Sequence, residues 1–115
     1  LATFGAPRGV RAAETVKVRI PSARTAFEPA EVTIKVGDTV QWTNRSIIAH
    51  TVTCDPAKAK SKDSASLPAG AAPFHSGELA QGTPWLHTFT APGVYRYFCQ
   101  HHEDMMMFGT VTVEA

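Results

Sequence analysis

The sequence has few charges and no long apolar segment. Of its 115 residues, 18% are charged, and the formal net charge is +1. Binding to nucleic acid requires a concentrated basic surface, so this composition argues against that class of partner. No apolar run approaches the ~20 residues needed to span a bilayer. With 43% hydrophobic residues in a chain too short for two cores, one folded domain is expected.

Cysteine is also scarce. The chain has two, Cys54 and Cys99, and on count alone they could form a single disulfide. The sequence begins with Leu1 rather than Met, so we expect a processed product whose export signal has been removed. Residues 1–14 contain Gly, Pro, Ala and Arg without periodicity. They are predicted to be a flexible leader, which could once have tethered the domain to a membrane.

Alternation of apolar and polar residues dominates the rest of the chain. TVKVRI (15–20) and EVTIKV (31–36) each place three β-branched residues on one face, which is typical of half-buried strands in an antiparallel sheet. The same signal predicts further strands at 39–44, 50–54, 85–90, 94–99 and 108–115.

The strands predict a fold class and a domain organisation. Seven to eight short strands separated by turn signals, with no amphipathic helix, predict an all-β Greek-key β-sandwich or barrel. Residues 55–84 lose the alternation and collect Ala, Ser, Pro, Gly and Lys. We expect them to be a long surface insertion in a single domain that spans 15–115.

Residue types that bind metals are concentrated between the last two predicted strands. The strand VYRYFC ends in Cys99, which is followed by His102, then Met107, then Gly109 and the closing strand. This spacing resembles the C-terminal ligand loop of the cupredoxins, the blue copper proteins, in its plastocyanin and pseudoazurin form. The family's other ligand is a histidine after a W-x-N strand end. His50, which follows Trp42-Thr43-Asn44, fits that position.

The resemblance implies one copper ion held by His50, Cys99, His102 and Met107, in a small carrier of single electrons. A thiolate, two imidazoles and a weak thioether suit both Cu(I) and Cu(II), so the ligands need little movement on electron transfer. Each residue alone has an ordinary interpretation, such as a buried thiol or a core methionine. Their conjunction at the family spacing favours the metal site.

Several alternatives stay open at this stage. A shift in register could place Met105 or Met106 in the axial position, and His101 lies beside His102. Cys99 and His102 could also form half of a zinc site completed by His50 and Cys54. A disulfide between the cysteines would remove the copper thiolate, so Cys54 is predicted to be unpaired and largely buried.

The resemblance also implies a docking surface for redox partners of the cytochrome or oxidase/reductase type. The family's C-terminal histidine presents its ring edge to solvent within an apolar patch. This predicts such a patch around His102, formed by Ile47, Ile48, Met105, Met106 and Phe108, unless residues 55–84 bury these side chains. Phe98, on the opposite face of its strand from Cys99, is predicted to be exposed as a second route for electrons or to pack under residues 55–84.

The remaining basic and histidine residues receive ordinary interpretations. Lys58, Lys60 and Lys62, with Arg8 and Arg11, could steer an acidic partner or could simply be solvated. His75 is predicted to lie in a loop and His87 to face solvent.

A protein that delivers or stores copper could use the same ligands without redox cycling. A catalytic oxidase or reductase normally needs further copper ligands such as H-x-H pairs, and the sequence has none, so no enzyme activity is expected. A copper thiolate site favours an extracytoplasmic location such as a periplasm, cell surface or lumen. We expect a monomer.

Overall fold

Eight strands account for the alternating segments of sequence. The computed structural model describes residues 11–115, so the predicted leader lies mostly outside the described residues, and residues 11–14 precede the first strand. The strands are β1 Thr15–Ile20, β2 Glu31–Lys35, β3 Thr39–Asn44, β4 Thr53–Cys54, β5 Phe74–His75, β6 Pro84–Thr88, β7 Gly93–Phe98 and β8 Phe108–Glu114.

The strands form two packed sheets. One sheet has the order β1-β3-β6 and the other β2-β8-β7-β4-β5, which confirms the predicted β-sandwich. Two short 3₁₀ segments, Pro56–Lys58 and Gln100–Met105, are the helices of the described residues. Neither segment is long and apolar enough to cross a bilayer.

The strand pairing corrects two details of the prediction. β1 runs parallel to β3, and β2 runs parallel to β8, so these strands do not belong to purely antiparallel sheets. Alternation reports which face of a strand is buried and carries no information on the direction of its neighbour. The predicted strand at 50–54 is also shorter, because β4 contains Thr53 and Cys54, whereas His50 pairs with Leu79 through an isolated bridge.

A group of aromatic rings fills the space between the sheets. The Trp42 Nε1–H donates a hydrogen bond to the Tyr97 hydroxyl over 3.0 Å, and the two rings meet edge to face. Phe27, also buried, packs edge-on against Tyr97 with ring centroids 4.7 Å apart. This cluster joins β3 to β7, so it fixes the ends of the two strands that lead into His50 and Cys99.

The turn between β2 and β3 is held by a buried carboxylate. Asp38 accepts backbone N–H hydrogen bonds from Glu14 (2.9 Å) and Lys35 (3.0 Å), and Arg11 forms an ion pair with it at 2.6 Å. These two backbone hydrogen bonds, followed by the contact with Arg11, lower the pKa of Asp38 from 3.8 to about 2. The contacts attach residues 11–14 to the sandwich.

We expect Gly109→Ala to destabilise the fold. A Cβ at this position in β8 would overlap the ring of Tyr97, which is fully buried and cannot move away. Overpacking of this kind costs about 1–3 kcal/mol, measurable as a lower urea midpoint. Thr112→Ala, on the same strand and only partly buried, is the matched control. Equal midpoints for the two variants would contradict the packing described here.

We expect Asp38 to make the stability of the protein sensitive to acid. Because the folded protein holds this pKa below its ordinary value, the contribution is present above about pH 4 and is lost as pH falls toward 2. Asp38→Asn should therefore unfold more easily at pH 7 and lose less stability than the wild type between pH 4 and pH 2. Urea titrations across this range, with exposed Asp104→Asn as the control, measure the difference. Parallel pH curves for wild type and Asp38→Asn would refute it.

Candidate metal centre

Three donor side chains meet at one end of the sandwich. The Cys99 Sγ lies 3.6 Å from His50 Nδ1 and 3.5 Å from His102 Nδ1. All three donor atoms lie within 4.8 Å of one another, and this is the one such group of His, Cys, Asp and Glu among residues 11–115. His50 and Cys99 are buried, whereas His102 is partly exposed.

These separations fit a single shared metal ion. Bonds from a metal such as Zn²⁺ to imidazole nitrogen and thiolate sulfur are about 2.0–2.3 Å long. Two donors bound at tetrahedral to trigonal angles are then roughly 3.3–3.8 Å apart. The observed 3.5 and 3.6 Å lie within this interval. A soft thiolate with two imidazoles is a donor set suited to copper.

The zinc alternative that used both cysteines is wrong. Cys54 lies away from the cluster, with its Sγ 3.4 Å from the Ser66 carbonyl and 3.3 Å from the Arg96 carbonyl. Both cysteines are free, and both are buried, which confirms the prediction for Cys54. Burial, with a smaller contribution from Asp55, raises the pKa of the Cys54 thiol to about 12, so it is inert at neutral pH.

His50 is held by a loop that Asn44 closes. Asn44 ends β3, and its side-chain amide donates hydrogen bonds to the carbonyls of Ile48 (2.9 Å) and Leu79 (2.8 Å). Its side-chain oxygen accepts the Ser46 N–H. His50 and Leu79 also exchange two backbone hydrogen bonds. The backbone that carries the His50 imidazole is therefore fixed in position.

Thr51 connects the two halves of the site. Its backbone N–H donates to the Cys99 Sγ over 3.4 Å, and its hydroxyl accepts the backbone N–H of Gln100 over 2.9 Å. An N–H directed at the sulfur stabilises negative charge there and is one of the contacts that tune a metal thiolate. Thr51 was not predicted to belong to the site, because alternation of apolar and polar residues does not distinguish a threonine that contacts sulfur from any other.

The loop from Cys99 to Met107 folds back on itself. The Cys99 N–H donates to the Met107 carbonyl, and the Met107 N–H donates to the His102 carbonyl. Met107 is 1% exposed, whereas Met105 and Met106 are 62% and 73% exposed. The register shift toward Met105 or Met106 is therefore not favoured, since only Met107 has its side chain inside the protein.

The environment keeps both imidazoles of the cluster neutral. Burial, and then the charges of His102 and His101, lower the pKa of His50 to about 4. Burial and the neighbouring His101 also lower the pKa of His102. A metal binds the neutral form of imidazole. At neutral pH, protons therefore compete with the metal less than they would at a histidine with an ordinary pKa.

The other histidines lie outside the cluster. His101 points to the surface, where its Nε2 contacts Glu78 Oε2 at 2.6 Å, so the structure favours His102 over its neighbour.

His75 lies in β5 rather than in a loop, and its Nδ1 is 2.9 Å from the Thr53 hydroxyl. The prediction that His87 faces solvent is wrong, because its ring stacks on Phe74 with centroids 4.2 Å apart.

Of the two interpretations given to Phe98, its exposure as a second electron route is wrong. Phe98 is fully buried. The backbone of Ser66 pairs with Arg96 of the same strand, and the Arg96 side chain donates to the Asp63 carbonyl. Residues 63–66 therefore run alongside β7 at Arg96, and the packing of Phe98 under residues 55–84 stays a prediction.

Four of the five residues predicted to form an apolar surface around His102 are exposed. Ile47 and Ile48 are 86% and 56% exposed, and Met105 and Met106 extend the same apolar character from the ligand loop. Phe108 is only partly exposed. Exposed apolar side chains of this size that lie together commonly mark an interaction site.

Comparisons with known proteins agree with this geometry. Residues 14–114 match the family described as copper binding proteins, plastocyanin/azurin family. Plastocyanin from Nostoc punctiforme is 37% identical over 108 residues, which cover 90% of this chain and 76% of that protein. Plastocyanin from Scenedesmus fuscus is 37% identical over 104 residues, covering 87% and 98%.

Solved structures give the same result. The Cu(I) form of an amicyanin variant superposes with a TM-score of 0.67 at 31% identity and covers 87% of this chain and 82% of that one. A purple cupredoxin from Nitrosopumilus maritimus superposes with a TM-score of 0.66 at 27% identity, covering 86% and 99%.

A β-sandwich that gathers two imidazoles and a thiol at one end, with these relatives, defines the cupredoxin class of small electron carriers that hold a single copper ion. The chain belongs to the plastocyanin/azurin family of copper binding proteins. It is an electron-transfer protein rather than an enzyme.

Proposed function

We propose that the protein carries single electrons through one copper ion bound by His50 Nδ1, Cys99 Sγ, His102 Nδ1 and, more weakly, Met107 Sδ. The observation that carries the proposal is the spacing of 3.5 and 3.6 Å between the Cys99 sulfur and the two imidazole nitrogens. Met107 is buried and its carbonyl accepts the Cys99 N–H, which supports its place as the fourth ligand.

Copper supplies a one-electron couple between Cu(I) and Cu(II). The chain contributes a rigid set of donors, because His50 is fixed by the bridge to Leu79 and Cys99 by its place directly after β7. Thr51 holds the Cys99 sulfur and the backbone of Gln100 at the same time. Ligands that are held in this way need little rearrangement between the two oxidation states, which favours rapid transfer.

His102 is the proposed point of electron entry and exit. It is the exposed member of the cluster, and its Nδ1 faces the Cys99 sulfur. We infer that the exposed side chains of Ile47, Ile48, Met105 and Met106 surround it, and this surface is called the docking patch below. Transient redox encounters use small interfaces, and an apolar patch without fixed ion pairs permits rapid release. We infer that partners of the cytochrome or oxidase/reductase type bind here.

A copper-delivery or storage role is less well supported. Transfer of copper to another protein requires that an acceptor can reach the ligands, yet Cys99 and His50 are 0% and 2% exposed. Solved structures of amicyanin variants include one in the reduced state and another in the oxidised state.

The cellular setting belongs to the proposal as well. One plastocyanin relative, from Tetradesmus obliquus, is described as chloroplastic. We infer an extracytoplasmic location, a lumen or periplasm, and a monomer. Residues 15–115 would form the single carrier domain, preceded by a leader at 1–14 of which residues 11–14 contact the sandwich. The segment 55–84 would be an insertion that also contributes β5 to the five-stranded sheet.

The two cysteines provide a matched test of the proposed function. We expect Cys99→Ser to abolish the intense thiolate-to-copper absorption of the oxidised protein, because the sulfur is its source. Cys54→Ala should keep this absorption, with its reversible loss on reduction. Absorption and EPR spectra after titration with Cu²⁺ measure both. A wild type that stays colourless with Cu²⁺, or equal loss of colour in both variants, would contradict the proposal.

The docking patch is tested by a charge placed on it. We expect Met106→Lys to slow electron self-exchange by roughly tenfold or more, because two copies would bring like charges together. The spectrum should not change, since Met106 points outward. Self-exchange is measured by NMR line broadening in mixtures of the oxidised and reduced protein.

The control is Val94→Lys, which adds the same charge at an exposed apolar residue near the other end of β7. It should leave the rate close to that of the wild type, at equal ionic strength. Equal rates for Met106→Lys and Val94→Lys would refute the assignment of the patch.

A further inference from the structure

A buried carboxylate lies directly after the partly exposed histidine of the metal centre. Glu103 is 7% exposed, although it occurs in the polar run His101–Asp104. Its two side-chain oxygens accept the backbone N–H of Lys60 at 3.1 and 2.9 Å, and one of them accepts the N–H of Ser61 at 3.0 Å. The Ser64 side chain forms a further hydrogen bond with it.

The hydrogen bonds keep this carboxylate ionised. Burial on its own opposes ionisation, but the bonds from Ser61, Ser64 and Lys60 outweigh it, and the pKa of Glu103 is lowered. The Lys60 ammonium does not bind the carboxylate directly. It lies instead 3.5 Å from the exposed carboxylate of Asp104. Glu103 is thus stabilised chiefly by oriented backbone N–H groups, which fix both partners of the contact in space.

The ligand loop needs an anchor at this point. The 3₁₀ segment Gln100–Met105 is kinked, since His102 has a non-helical backbone, so regular helical hydrogen bonds do not define its path. Upstream, Gln100 is held by Thr51, and His101 makes only an exposed contact with Glu78. Downstream, the Met106 N–H donates to the Glu103 carbonyl, which closes the turn before Met107.

We propose that Glu103 is a positioning residue, whose carboxylate clamps the loop between His102 and Met107 onto residues 60–61 and thereby fixes the His102 ring relative to the Cys99 sulfur. The proposal rests on the proposed function, in which His102 and Met107 bind copper. It gives part of the 55–84 segment a role in the metal centre, although that segment supplies no donor to the cluster.

Removal of the clamp should change the site as well as the fold. In Glu103→Ala, the Lys60 and Ser61 amides lose their acceptor, and their hydrogen exchange in the copper-free protein should accelerate about 10- to 100-fold. Copper affinity should fall about 10- to 100-fold, the range found when supporting contacts of metal ligands are lost. The reduction potential and the EPR spectrum of the copper protein should shift with it.

Three further variants separate positioning from general stability. Asp104→Ala removes the same charge from the neighbouring residue, whose side chain is 82% exposed, and should match the wild type in every measurement. Glu103→Gln retains a carbonyl oxygen for Lys60 and Ser61 and should recover most of the potential and affinity. Glu103→Asp keeps the charge but withdraws it by one methylene, and it should shift both quantities in the direction of Glu103→Ala.

The decisive comparison is the potential and copper affinity of Glu103→Ala and Asp104→Ala in the full chain, at a temperature where both are folded. Equal values would overturn the proposal even if Glu103→Ala were less stable. If Glu103→Ala does not fold, a Glu103→Asp protein that matches the wild type overturns it instead. A wild type that fails to bind copper contradicts the proposed function itself, and with it the positioning role.

Discussion

Everything in this molecule depends on keeping one sulfur atom and two imidazole nitrogens close together at one end of the sandwich. The three donors belong to two separate stretches of chain, and only His102 reaches the surface. Burying polar groups without partners costs free energy. The donors therefore stay together only because hydrogen bonds elsewhere fix the backbone that carries them. The hydrogen bonds of Asn44, Thr51 and the ligand loop supply that support.

The rest of the sandwich can be understood as the frame for this arrangement. The Trp42–Tyr97 contact joins β3 to β7. β3 leads into the loop that carries His50, and β7 leads directly into Cys99. Gly109 allows the Tyr97 ring to lie against β8, which begins where the ligand loop ends. Hydrophobic burial thus provides most of the stability, while a few polar contacts at one end decide where the donors lie.

Much of this could be predicted from the sequence, for physical reasons that differ between residues. Cys99, His102 and Met107 lie in one short loop between paired strands, so their spacing along the chain carries over into space. His50 is distant in sequence and was identified through the W-x-N pattern of a known family. Period-two alternation located the strands, because it reports directly on which side chains are buried.

The burial of a side chain could not be predicted where it depends on residues that are distant in the sequence. Alternation places Phe98 opposite Cys99 but gives no information on whether other parts of the chain bury it, and Phe98 is in fact fully buried. The alternation that buries Phe89 also turns the ring of His87 toward it, so His87 does not simply face solvent as predicted. Glu103 has no signal in its polar run, since its burial depends on amides 43 and 42 residues away in sequence.

X-ray absorption at the copper edge, recorded for both oxidation states of the loaded protein, tests the central claim most directly. The account predicts one sulfur and two nitrogen ligands at short, closely similar distances in the oxidised and the reduced state. A spectrum without a short copper–sulfur bond, or the loss of an imidazole on reduction, would contradict it.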